Sequence, residues 1–243
     1  MPRSLYFEKH KTIVGRIGEE PHVEFTTTYG IKPRKPQQPE LTRRISLKDD
    51  LKWREVQNLQ KVMSGADFWS EFPEPGLRLI TAEVKAGTEP QRIDLLYLRT
   101  DGGVLPCELK VGGTELDTHG QLIRYIADLS AQPISEDWVI SRRREYLDRK
   151  YHDNDKREQN VRIDLFKFEE QIEAVSEFRL VSKTGIMMDE GFPSALVTAV
   201  RFLNRECGFA IRLVQLDAFV TDDWTLDAEE YVMRLDLNEI PSA

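Results

Sequence analysis

The sequence is poor in the residues that most often mark a site. Its 243 residues include two cysteines, Cys107 and Cys207, and four histidines. Two cysteines cannot build a disulfide framework, and they fit a reduced, cytoplasmic setting. No Cys/His spacing suits a structural zinc, and no glycine-rich loop suits a nucleotide phosphate. No apolar run approaches the roughly 18–20 residues of a membrane span, so no membrane association is expected. The first residues, MPRSLYFEKHK, lack the apolar centre of a signal peptide. Trp53, Trp69, Trp138 and Trp224 are not interleaved with basic residues, so they read as core or edge residues, not as a stacking platform for single strands. Positive charge is also in deficit, with 34 Lys and Arg against 42 Asp and Glu and a net charge of −8. That excludes a chain whose whole surface grips nucleic acid, but leaves room for a local basic patch.

What is present is enough apolar material, 40% of residues, to fill a core. Residues 12–17 and 22–28 are β-rich and separated by a Gly-Glu-Glu-Pro turn signal. Residues 31–44 are rich in proline and basic residues and read as an extended arm. Ser46 is placed to cap a helix running to about Met63, with Asp49 in its first turn. Strands are then expected at Leu77–Val84, Arg92–Leu98 and Val104–Lys110, broken by Gly87–Pro90 and by the hairpin signal Asp101-Gly-Gly103. Asp117 or Thr118 can cap a helix through Ser130, and Asp137–Ser141 reads as a fourth strand. Residues 142–160 are highly charged, either helix or loop. Beyond them, strands are expected at 161–168, 177–183, 209–220 and 231–237, with a helix at 194–204.

One constellation carries chemistry. Asp94 interrupts an otherwise apolar strand. Glu108 and Lys110 are two apart on the next strand and so project from one face. The hairpin makes these strands antiparallel neighbours, so two carboxylates and an ammonium can meet there. Such a cluster is costly unless its charges are paired or hold a metal. Carboxylates are hard ligands for Mg²⁺, and a lysine beside the metal can orient a water or neutralise developing charge.

The series Arg-Ile-Asp94, Cys-Glu108-Leu-Lys110 and Gln121-Leu-Ile-Arg-Tyr125 resembles the PD-(D/E)xK nucleases, in particular their RecB-like branch and the archaeal mismatch nucleases. The resemblance covers about residues 76–141. It implies an α/β fold of restriction-endonuclease type, a central mixed sheet flanked by helices, with N- and C-terminal elaborations. It implies that Asp94 and Glu108 bind Mg²⁺ or Mn²⁺ with the Leu109 carbonyl as a third ligand, that Lys110 is the catalytic lysine, and that Gln121 and Tyr125 line the site. Some members add an acidic residue from the preceding helix, for which Asp50 and Glu55 are candidates. The implied activity is that of an endonuclease on DNA leaving 5′-phosphate and 3′-hydroxyl ends. The rivals are an RNA-directed nuclease of the same fold and an idle nucleic-acid-binding or scaffold subunit. On this reading residues 1–45 form a β-rich segment and basic arm, 46–141 the nuclease core, and 142–243 a C-terminal α/β extension, which one continuous domain would also accommodate.

Arg92, Arg124 and the run Arg142, Arg143 and Arg144 are candidates for contacts to the nucleic-acid backbone. Residues 142–150 carry five basic and two acidic side chains, which a solvated helix with internal ion pairs would explain equally well. The basic arm, with Lys32, Arg34, Lys35, Arg43 and Arg44, is another candidate track. His119 is read as a solvated turn residue and Asp164 as structural. Glu83-Val-Lys85 repeats Glu-x-Lys, but no acid on a paired strand precedes it, so both are read as exposed strand residues. A homodimer or a basic partner subunit would suit the acidic net charge.

Overall fold

The computed structural model describes residues 3–17, 20–30, 42–50, 77–85, 92–112, 118–223 and 231–241. Much of the basic arm, the body of the helix expected after Ser46, the turn at 87–90, Asp117, and Glu55, Trp53, Trp69 and Trp224 lie outside the described residues.

Among the described residues ten strands form a single sheet. They are β1 (Arg3–Ile17), β2 (Glu20–Gly30), β3 (Arg43–Ile45), β4 (Arg78–Lys85), β5 (Arg92–Leu98), β6 (Gly103–Leu109), β7 (Arg179–Leu180), β8 (Thr184–Asp189), β9 (Ala210–Val220) and β10 (Tyr231–Ile240). Eight run in the order β2-β1-β10-β9-β8-β6-β5-β4, with β3 on β9 and β7 on β6. The helices among the described residues are α1 (Thr118–Ser130), α2 (Glu136–Lys150), α3 (Arg157–Ile172) and α4 (Ser194–Glu206). β4, β5 and β6 are an antiparallel meander, whereas β6, β8 and β9 are mutually parallel. This is the α/β architecture expected, a mixed central sheet flanked by helices, of restriction-endonuclease-like type.

The meander forms where the sequence alternates and turns. Gly102 takes φ +79°, and the hairpin closes through Arg99 N–H to the Gly103 carbonyl at 2.9 Å. A side chain on Gly102 would strike the Glu177 carbonyl oxygen, so glycine is required on two counts. Pro106 sits in the interior of the sheet, where it has no N–H to give. On that edge β7 covers residues 103–104 of β6 and β8 covers 107–109, so the proline faces the break between them.

The parallel neighbours of β6 are β7 and β8, not residues 137–141. Those residues lie inside α2, whose N-terminus is capped by the Ser135 hydroxyl accepting from Trp138 N–H, with Glu136 and Asp137 in the first turn. Residues 161–168, expected as a strand, belong to α3, and of 177–183 only Arg179–Leu180 is strand. Residue 141, the expected limit of the core, falls within a helix, and the sheet continues through β8 to β9.

Two apolar layers enclose the sheet. Leu95, Tyr97, Leu105, Cys107 and Leu109 point to one side, with Ile45 and Leu47. Leu96, Leu98 and Val104 point to the other, against Tyr125 and Leu129 of α1 and Phe168 of α3. Leu122 of α1 packs over β8, where the missing side chain of Gly185 lets it approach; a Cβ there would lie 2.9 Å from the leucine methyls. α2 lies along the free edge of β4. Arg143 Nη1 donates to the Leu79 carbonyl at 2.9 Å and Arg149 Nη2 to that of Ala82 at 2.7 Å. An edge strand is thereby closed to pairing with other chains.

Candidate active site

The site grows from the end of the β5–β6 ladder. Paired residues run from Leu98↔Val104 to Leu95↔Cys107. One step further, Asp94 and Glu108 stand opposite each other, on the face that carries Leu96 and Val104 and looks towards α1. Cys107 points to the opposite face, where burial pushes its thiol well above the usual range, so it is an inert filler and not a nucleophile.

Asp94 replaces the missing backbone partner of β6. Its Oδ2 accepts from Leu109 N–H at 2.8 Å. In an extended strand the N–H and C=O of one residue point to the same side, so the Leu109 carbonyl is directed towards Asp94 as well. Glu108 is only 3% exposed. Its Oε1 receives Lys110 Nζ at 2.8 Å, while its Oε2 is buried with no hydrogen-bond partner among the described residues. Burial, with the Glu108 charge beside it, pushes the Asp94 carboxyl up to about 7 despite the Leu109 N–H. Burial raises Glu108 too, against the opposing pull of Lys110 and of a hydrogen bond with the Asp94 carboxyl.

This pair fits a small divalent cation. A carboxylate oxygen buried without a donor has a ligand's role open to it, and a carboxyl whose affinity for a proton is raised by burial and a neighbouring carboxylate has its affinity for a cation raised by that neighbour too. Among the described residues no three His, Cys, Asp or Glu converge on one point. The protein's share would be Asp94, Glu108 and the Leu109 carbonyl, with water completing the shell, which is the habit of Mg²⁺. No family model, no curated protein and no solved structure matches the chain.

The remaining expected residues divide. Tyr125 is buried, and its hydroxyl donates to the Arg92 carbonyl at 2.9 Å, tying α1 to the first residue of β5 two positions before Asp94. Its own titration is pushed up by burial and by the Glu108 and Asp94 charges. Gln121 is half-buried one turn earlier on α1, and Arg124 is exposed on the same helix. The Arg92 guanidinium is exposed and reaches Glu83 at 3.4 Å. The arginine run is not one surface. Arg143 is held between the Tyr146 and Phe168 rings and bonded to Leu79, Arg142 pairs with Glu145 and lies over Trp138, and only Arg144 is exposed. In the basic arm Arg44 pairs with Asp217. Ser46 does cap its turn, accepting from Asp49 N–H at 3.0 Å, and Asp50 is spent on Ser46 N–H at 2.8 Å. Asp164 is structural, accepting from the Tyr151 hydroxyl at 2.6 Å. His119 is half-buried, with Nδ1 buried and without a partner among the described residues.

Two acids near the site were not assigned to it from the sequence. Glu83, which continues the β4–β5 register to stand opposite Asp94, has φ 53° and adds its charge to the pressure on Asp94. The repeated Glu-x-Lys at 83–85 was its only signal. Asp189 is fully buried at the end of β8, on the face it shares with Glu108. Its signal, an acid closing an apolar strand, depends on first recognising that strand. The next residue, Glu190, accepts from Leu47 N–H at 2.5 Å and Lys48 N–H at 3.3 Å, fastening the segment after β3 beside the site.

Proposed function

We propose that this chain is a Mg²⁺- or Mn²⁺-dependent endonuclease that hydrolyses phosphodiester bonds in DNA. The observation that carries the reading is the meeting of Asp94 and Glu108 on one face of adjoining strands, with Lys110 Nζ 2.8 Å from Glu108. Asp94, Glu108 and the Leu109 carbonyl hold the cation. The chemistry such a cation supplies is charge neutralisation at the phosphoryl oxygens and a more acidic water.

The chain's own groups do the rest. Leu109 N–H fixes the rotamer of Asp94, so the carboxylate does not have to be ordered when substrate arrives. Glu108 anchors Lys110, whose side chain is 30% exposed and so reaches solvent at the site's mouth. Lys110 orients the attacking water and offsets the charge that builds on the phosphate. Tyr125 sets the position of β5, and with it Asp94. Arg92 and Arg124, exposed on either side, are the candidates for phosphate contact.

Cleavage of duplex DNA, single-stranded DNA and RNA with Mg²⁺ tests the reading. DNA cleavage should fall by about 100-fold or more in Asp94→Ala and in Lys110→Ala. Equal activity in both variants and the native chain would remove the site assignment. Cleavage of RNA alone would redirect the substrate, and binding without cleavage under every divalent metal would point to a scaffold.

A further inference from the structure

α3 turns Leu165, Phe168 and Ile172 towards the sheet, yet it also presents apolar groups outward. Ile163 and Phe166 are 42% and 59% exposed and lie one turn apart on its outer face. They line an open groove of about 800 Å³ that extends to Arg144 and Asp148 of α2. Charged residues Arg162, Lys167, Glu169 and Glu170 surround the pair. None of these four has an ion-pair or hydrogen-bond partner among the described residues. Ion pairs form elsewhere on the surface, as in Arg142–Glu145, Arg157–Asp148 and Arg212–Glu239, while single charges such as Glu136 and Glu173 stand without one among the described residues. Exposed apolar side chains ringed by unmatched charge of both signs describe a contact with its other half missing.

We propose that the outer face of α3 docks a second copy of this chain, helix against helix, antiparallel about a two-fold axis. The charge pattern selects that occupant. A residue advances about 100° around a helix, so Ile163 and Phe166 centre the outer stripe, and Arg162 and Glu169 share one flank. A two-fold between positions 163 and 166 sets Ile163 of each copy against Phe166 of the other. The same operation brings Lys167 of one copy level with Arg162 of the other but on the opposite flank, while Glu169, two residues further on, lies on the flank of Arg162 within an arginine's reach. Two reciprocal Arg162–Glu169 pairs then flank an apolar centre, which is the self-complementarity a two-fold contact requires. Nucleic acid fits worse, because the groove's acids, Asp148, Glu158, Glu169 and Glu170, outnumber its bases, Arg144, Arg162 and Lys167, and leave no net positive charge for phosphate.

A contact centred on one helix pair belongs at the small end of protein interfaces, so the dimer is reversible and concentration-dependent. Sedimentation velocity of the full chain over about a hundredfold range of concentration is the test, with far-UV circular dichroism to confirm folding of each variant. The native chain should pass from monomer to dimer. Phe166→Glu should raise the dissociation constant by about tenfold or more. Arg162→Glu and Glu169→Arg should each weaken the dimer, and the two together should restore it, because the pair is then re-formed with its charges exchanged. A monomer at every concentration, a dimer indifferent to Phe166→Glu, or a double variant no tighter than either single one would each overturn the proposal.

Discussion

At the scale of single residues, Asp94 and Glu108 are costly neighbours, and the cost depends on pH. The Asp94 carboxyl titrates at about 7 in the folded chain, against 3.8 for the free side chain. Between those values the folded state keeps a proton that the unfolded chain has released. Stability therefore falls as pH rises from 3.8 towards 7, and levels off above. In cation-free buffer at pH 8, Asp94→Asn should unfold at higher urea than the native chain and show a flatter pH profile. Mg²⁺ at pH 8 should stabilise the native chain and not the variant. Parallel pH profiles for the two proteins would mean that Asp94 does not carry this burden. The sequence disclosed these residues because charge on an apolar strand is conspicuous. It disclosed Glu83 poorly, because what sets that residue apart is a backbone angle.

Elements were legible where their signals are local. The meander announced itself by alternation and by Asp101-Gly-Gly103, and α4 by its apolar spacing. α2 was misread from five apolar-rich residues, although Ser135, the acids after it and Arg149 and Lys150 at its end outline a helix. α3 was misread for a different reason. Outward Ile163 and Phe166 fill in the helical stripe and imitate the alternation of a strand. β8 was missed because a parallel strand is defined by partners far away in the chain. The arginine run illustrates how element packing reassigns a residue. Arg143→Ala should cost about 2–3 kcal/mol in urea unfolding, since it removes a charged donor from a strand-edge carbonyl and a cation from two rings. A change below about 0.5 kcal/mol, the level of an ordinary surface substitution, would return Arg143 to the solvated surface.

For the molecule as a whole, the sheet is the organising fact. A stretch ending at residue 141 contains the series Asp94, Glu108-Leu-Lys110 and Gln121 to Tyr125 but only part of the structure that supports it. It cuts α2, and it strips β6 of β7 and β8 and the Ser46 turn of Glu190. A fragment of residues 46–141 should therefore show no cooperative thermal transition, whereas the full chain should show one by calorimetry. A cooperative transition in the fragment would establish the core as self-sufficient. The order of synthesis then matters. Residues 110–183 separate β6 from β8, so a ribosome releases the hairpin bearing Asp94 and Glu108 well before the strand that shelters one side of it. Until β8 emerges, the nascent chain carries an acidic hairpin with a bare flank, and translation speed across those residues sets how long it stays vulnerable to chaperones, proteases and other nascent chains.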